Sequence, residues 1–224
     1  MSERKVVFFY LNSYSYYLAR HNPLFCTCFN RASYIIPDGT SIVWAVKLLN
    51  RHRIQKITFN HSYFAFNKEL FVKMRQRIFL LGSTDDILAK ITSQTQNPDS
   101  DLNIVGTHNG YFTDQESGEV LALIEKCQPD ILLVGMGMPK SEIWIMNNLD
   151  CISAKCIFTV GNFFEIIAEE KKIAPNFLIN TGFEWFYRLL QEPRRLMKRY
   201  IKANSYFAIS ILRLKLKLIS GKQY

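Results

Sequence analysis

The chain has 224 residues, 48% hydrophobic and 21% charged, enough for one domain with a full core and unlike a disordered or fibrous polypeptide. No apolar run reaches the length of a membrane span, and the Met1-Ser2-Glu3-Arg4-Lys5 start lacks a signal core, so a cytoplasmic protein is expected. The formal net charge is +9, and the segment Arg188 to Tyr224 alone holds ten Lys and Arg against the single acid Glu192, leaving the remainder neutral. Such asymmetry points to an anionic partner, either nucleic acid or an acidic membrane surface. Five cysteines without a Cys-x-x-Cys pair, and four histidines without ligand spacing, argue for reduced buried thiols and against a zinc site.

In chain order, Val6 to Tyr10 reads as a first strand ending at Leu11-Asn12-Ser13. Helices are expected over Tyr14 to Ala19 and Pro23 to Asn30. Ser33 to Ile36 is a short strand running into Pro37-Asp38-Gly39-Thr40, and 41–50 has apolar residues at helical spacing. Arg51 to His61 reads as a basic loop, and 62–76 as a helix. Arg77 to Leu81 is a strand leading to Gly82-Ser83-Thr84, where Ser83 or Thr84 would cap a helix over 85–94. Leu102 to Val105 is a strand ending near Thr107-His108-Asn109-Gly110, and a helix follows over 115–127. Ile131 to Val134 is an apolar run suited to a parallel strand covered on both faces. It meets Gly135-Met136-Gly137-Met138-Pro139-Lys140, a tight turn into a helix over 140–148. Gly135 and Gly137 would let the backbone approach a ligand, and Lys140 adds a charge at a helix start suited to an anion such as a diphosphate. Lys155 to Val160 is the last strand, ending at Gly161-Asn162. The remainder reads helical, broken at Pro175 and Pro193.

This alternation predicts an α/β fold: a Rossmann-like, mostly parallel sheet with helices on both faces and a helical C-terminal appendage. The division expected is a core over 1–175 and an appendage over 176–224. Polar and glycine signals gather where strands end, which is where open α/β sheets bind ligands. Asp38 is either a turn aspartate or a general base for an attacking hydroxyl. Asn12 is either a turn residue or a donor to a sugar hydroxyl, and His108 is either a loop histidine or a contact to substrate. Asp99-Ser100-Asp101 resembles a metal-holding Asp-x-Asp but precedes its strand, so it reads as a solvated loop.

The tail Leu212-Arg213-Leu214-Lys215-Leu216-Lys217-Leu218-Ile219 alternates like a strand, yet its surroundings also permit a basic amphipathic helix. With Trp185, Phe186, Tyr187, Tyr200, Tyr206 and Phe207 nearby, a membrane-surface helix is favoured over a solvated face or an RNA-binding surface. Arg194, Arg195, Lys198, Arg199, Lys202, Arg213, Lys215 and Lys217 would meet the lipid.

Several of these stretches together resemble one family. Pro37-Asp38-Gly39, Val43-Trp44-Ala45, Asn103-Ile104-Val105-Gly106-Thr107-His108-Asn109-Gly110-Tyr111-Phe112, the run from Pro129 to Lys140, and above all the run from Gly182 to Leu196 are similar to the WecG/TagA/CpsF glycosyltransferases, over roughly residues 6–204. The resemblance implies an inverting, metal-independent bacterial transferase. Its donor would be a UDP-sugar of the N-acetylmannosamine, N-acetylmannosaminuronic acid or glucose type, and its acceptor a saccharide on a polyprenyl diphosphate at the inner face of the cell membrane. It implies Asp38 as catalytic base, with substrate held by Asn12, Lys56, Thr107, His108, Gly135, Gly137, Lys140, Ser141 and Glu142. No cofactor, metal or nucleic acid is implied, and assembly as a homo-oligomer stays open. The chain departs from the family pattern at Tyr10-Leu11-Asn12, Lys56, Ser141, Gly161-Asn162 and Ile173-Ala174-Pro175. Losing an Arg and a Gln there argues against a carboxylated donor. The alternative reading is a non-catalytic membrane- or RNA-binding module on the same fold.

Overall fold

A computed structural model describes residues 5–50, 52–62, 75–95 and 102–220. The elements run β1 (Val6–Leu11), α1 (Ser13–His21), α2 (Pro23–Asn30), β2 (Tyr34–Pro37), α3 (Thr40–Asn50) and α4 (Phe59–Ser62). Next come β3 (Arg77–Gly82), α5 (Asp85–Thr95), β4 (Asn103–His108), a 3-10 turn (Asp114–Glu116), α6 (Ser117–Cys127), β5 (Ile131–Gly135) and α7 (Lys140–Asn148). The chain closes with β6 (Cys156–Thr159), α8 (Phe163–Ile167), α9 (Asn176–Thr181), α10 (Glu184–Gln191) and α11 (Pro193–Ile219). The six strands form a parallel sheet in the order β2-β1-β6-β5-β3-β4, as the alternating sequence pattern requires. Interior strands β3 and β5 are buried from Ile78 to Gly82 and from Ile131 to Val134, which is why they read as apolar runs, whereas edge strands β2 and β4 are half exposed.

By contacts, the chain forms two compact units. The first comprises 1–9, 27–35 and 59–172. Its core includes Leu80, Leu132, Leu133 and Ile157 of the sheet together with Leu88, Ile91, Val120, Ile124 and Ile145 of the helices, all of them buried. Leu80 pairs with Leu133, and Leu133 with Phe158, so neighbouring strand ends lie level. Two glycines make this register fit. A Cβ on Gly82 would stand 2.5 Å from the Gly135 carbonyl group, and one on Gly106 would meet the Cys127 sulfur at 2.7 Å.

The second unit comprises 10–26, 36–58 and 173–224, so the basic C-terminal segment is built together with α1 and α3. Helix α11 lays Leu196, Ala203 and Phe207 inward. Phe207 packs with Ile42 and Ala45 of α3 and meets the Tyr16 ring edge-on at 5.1 Å. The alternating tail up to Ile219 is helical. Leu, Lys and Arg are good helix formers, and a helix already nucleated by packing extends residue by residue.

The departures from the sequence expectation are local. The loop expected over Arg51 to His61 ends in the short helix α4. Except for residues 62, 75 and 76, the helix expected over 62–76 lies outside the described residues, as does Asp99-Ser100-Asp101. The backbone of Thr84 caps α5 by accepting from Leu88 N–H, while the Ser83 hydroxyl donates to Glu165. Besides the breaks at Pro175 and Pro193, Gly182 at φ +82° separates α9 from α10. Of the thiols, Cys28 is buried, Cys26, Cys127 and Cys156 are partly covered and Cys151 is exposed; none forms a disulfide.

Gly82→Ala should lower stability by about 3 kcal/mol, because φ is +140° and the added methyl has only backbone to push against. Gly118→Ala, with open space around it, should be neutral or stabilise by about 0.5 kcal/mol. Urea denaturation of the two variants checks the contrast.

Candidate functional site

The residues following β1 and β2 meet in the second unit. Asn12 is the N-cap of α1: its side-chain oxygen accepts from Tyr14 N–H and Ser15 N–H, and the Ser15 hydroxyl oxygen accepts in return from Asn12 N–H at 2.8 Å. This capping box settles which way the amide points. Its Nδ2 is left facing the Asp38 carboxylate, with a donor–acceptor distance of 3.4 Å to Oδ2. Asp38 is in turn pinned through its backbone N–H, which donates to Leu11 carbonyl at 2.7 Å. Glycine follows at φ +124°, opening the turn into α3.

The charges around Asp38 come from the C-terminal helices and from the basic loop after α3. Lys56 pairs with Glu184 at 2.6 Å in a partly covered position, the two side chains being 17% and 22% exposed. Burial raises the Asp38 carboxyl above the usual range; Arg188, the Asn12 amide and Lys56 pull it back, while Glu184 pushes it further up. The outcome is a carboxylate held more basic than an ordinary aspartate and flanked by fixed cations, the arrangement a general base for a hydroxyl needs. Buried Tyr10 is affected in its turn: burial, and then the Asp38 charge, raise its phenol above the usual value.

Beside this constellation lies a cleft of about 200 Å³ whose lining includes Thr40, Trp44, Lys56, Ile179 and Gly182. Gly182 lets the α9–α10 turn reach α3, since a Cβ there would stand 2.9 Å from the Thr40 methyl.

In the first unit the expected substrate residues lie where β4 and β5 end, and most of their polar groups hold loops in shape. The Lys140 ammonium donates to the carbonyls of Gly110 at 2.9 Å and Phe112 at 3.1 Å and lies over the Phe112 ring. The Ser141 hydroxyl accepts from Met136 N–H at 3.0 Å; Ser141 is 2% exposed and Glu142 1%. His108 Nδ1 lies 2.8 Å from the Asn109 carbonyl, so in the neutral ring Nδ1 carries the proton and Nε2 is left as an acceptor. Thr107 is half-buried in β4. The space a Gly135 Cβ would take is filled by Phe164, at 2.7 Å, so packing explains that glycine. Gly137 differs: at φ +82° with open space around it, it is the position where a backbone could be approached.

Among the basic residues expected to meet lipid, Arg194, Lys198, Arg213 and Lys217 are exposed, Lys215 is half-buried, and exposed Arg195 pairs with Glu192. Lys202 is exposed, with its ammonium 5.2 Å from the centre of the Tyr17 ring. Arg199 is turned inward, its guanidinium 3.7 Å above the Tyr14 ring, and burial lowers its pKa. Packing, rather than lipid, accounts for its position.

Sequence reasoning missed Arg188 and Glu184 as neighbours of Asp38. The available signal was their spacing: four apart on a helix, they share one face. Trp44 was also passed over as a site residue, being one aromatic within an apolar helix.

Replacing Asp38 by Asn removes a charge that the fold disfavours. Because the folded carboxyl is raised, wild-type stability falls as pH rises from the ordinary carboxylate range through that raised value. Asp38→Asn should therefore melt higher than wild type at pH 8, with the difference vanishing below about pH 3, where an unperturbed aspartate is largely protonated. Thermal melts across pH check the crossover.

The family described as "Glycosyl transferase WecG/TagA/CpsF family" matches residues 1–221. The chain is also similar to proteins called N-acetylglucosaminyldiphosphoundecaprenol N-acetyl-beta-D-mannosaminyltransferase in Staphylococcus aureus. The one from strain MRSA252 is 33% identical over 198 residues, covering 86% of this chain and 74% of the relative. Those from strains MW2 and COL are 32% identical over the same span and coverage.

Proposed function

Because the chain belongs to the WecG/TagA/CpsF glycosyltransferase family, we propose that it moves an N-acetylhexosamine from a UDP-sugar to a saccharide on a polyprenyl diphosphate. The transfer proceeds with inversion and without a metal ion. The observation that carries this reading is Asp38, held by Asn12 and raised in basicity by burial. Its carboxylate takes the proton from an acceptor hydroxyl, the oxygen attacks the anomeric carbon, and the bond to UDP breaks as the new one forms. Arg188, a cation that cannot lose its proton, stabilises negative charge developing on the departing diphosphate. The backbone from Gly135 to Lys140, with Thr107 and His108 nearby in the same unit, is assigned to the nucleotide.

The donor sugar in this reading is uncharged. Lys56 stands where the family pattern has an arginine, and its charge is engaged by Glu184, so it offers little to a sugar carboxylate. The relatives, whose printed name specifies transfer of an N-acetylmannosaminyl group, support an N-acetylmannosamine donor.

We assign the exposed basic and apolar surface of the C-terminal helices to the anionic inner face of the cell membrane. Leu190, Met197, Ile201, Leu212 and Leu216 stand exposed among the lysines and arginines, a composition suited to the lipid interface. No helix among the described residues is long and apolar enough to cross a membrane.

Incubation with UDP-N-acetylmannosamine and an N-acetylglucosaminyl diphosphoryl lipid should release UDP equally with EDTA or Mg²⁺, and Asp38→Asn should lower kcat at least a hundredfold while staying folded. Near-normal turnover by that variant removes the base assignment, and activity abolished by EDTA removes the metal-free mechanism. Removing the whole C-terminal segment would strip the second unit of buried Leu196 and Phe207, so docking is better tested by charge. Replacing Arg194, Lys198, Arg213 and Lys217 together by Gln should weaken sedimentation with anionic vesicles by roughly a thousandfold, at about 1 kcal/mol for each charge. Unchanged sedimentation refutes docking through this surface.

A further inference from the structure

Helix α3 buries Ile42 and Ala45, yet it leaves its one indole, Trp44, 64% exposed at the cleft beside Asp38. Fully burying an aromatic side chain is worth about 1.5–3 kcal/mol, so an indole held against a cleft but largely in water has apolar area reserved for something else. We propose that Trp44 is the platform for the acceptor pyranose, the sugar ring carrying the hydroxyl that Asp38 deprotonates; this rests on the transferase reading above.

Three features select a sugar. The cleft, at about 200 Å³, is smaller than the roughly 300–1,000 Å³ of sites for drug-sized ligands, and suits a single ring. Its lining is mixed: Trp44, Val43 and Ile179 stand with Thr40, Thr181 and Lys56. A pyranose has the matching character, with an apolar C–H face bordered by hydroxyls. An isoprenoid chain does not, since it would strip water from the Lys56–Glu184 ion pair without replacing the lost hydrogen bonds. The third feature is position. Lys56 both lines the cleft and acts on Asp38, so the cleft and the base share a neighbouring residue. The nucleotide is assigned to different residues, which makes Trp44 selective for acceptor.

The test is calorimetric titration of the full chain with two probes, UDP and N-acetylglucosamine linked through diphosphate to a short alkyl chain, repeated with a long alkyl chain. Trp44→Ala should weaken binding of both alkyl probes by roughly five- to tenfold and leave UDP affinity unchanged, while Trp44→Phe, keeping a flat ring, should bind within about twofold of wild type. Unchanged UDP affinity also certifies that the variants are folded. Equal affinity of Trp44→Ala and wild type for the short-chain probe overturns the proposal. So does a loss confined to the long-chain probe, which would make the cleft a lipid groove. Wild type that binds neither UDP nor the alkyl probes sinks the transferase reading itself and this subsite with it. Wild type that turns over normally, with Trp44→Ala unaffected, sinks the subsite alone.

Discussion

A carboxylate drawn out of water must be met by dipoles or cations fixed in advance, or it takes up a proton. In this protein the group concerned is Asp38. A capped helix supplies the Asn12 amide, the loop after α3 supplies Lys56, and the C-terminal helices supply Arg188. Burial outweighs these partners, so Asp38 is left more basic than a surface aspartate. The fold of the second unit can be understood as the means of assembling those groups: Gly182 allows the close approach of α3 and the α9–α10 turn, and Phe207 of α11 packs against Ile42 and Ala45 of α3.

The first unit is organised differently. There the loops after the strands are shaped by side chains that spend their hydrogen bonds on backbone: Lys140 on two carbonyls, Ser141 on Met136, Asn109 on Tyr111. Further ties, from Ser83 to Glu165 and from Asn109 to Asp85, fix the same loops. Rigid loops of this kind present backbone groups at set positions without ordering entropy at the moment of binding. Side-chain charge is largely consumed in building them, which is the opposite of the arrangement around Asp38.

The C-terminal segment does two jobs with one run of basic residues. Arg188 acts electrostatically on Asp38 and Arg199 lies over the Tyr14 ring, while Arg194, Lys198, Arg213 and Lys217 remain in solvent. A net charge summed over the segment does not separate these roles. Helical phase and packing partners do.

The apolar runs at Ile78 to Leu81 and Ile131 to Val134, and their alternation with helical periods, were sufficient to imply a parallel sheet, because a strand covered on both faces has no polar alternation to display. The position of Asp38 after a strand and before a helix marked it from sequence, and Asn12 was marked likewise. Tertiary structure alone decided that these two touch, since they lie 26 residues apart and meet through the pairing of separate elements. It also brought Glu184 and Arg188 to the same place. Periodicity reports which face of an element is buried, but contacts between distant elements depend on how those faces are packed, and no local pattern encodes that.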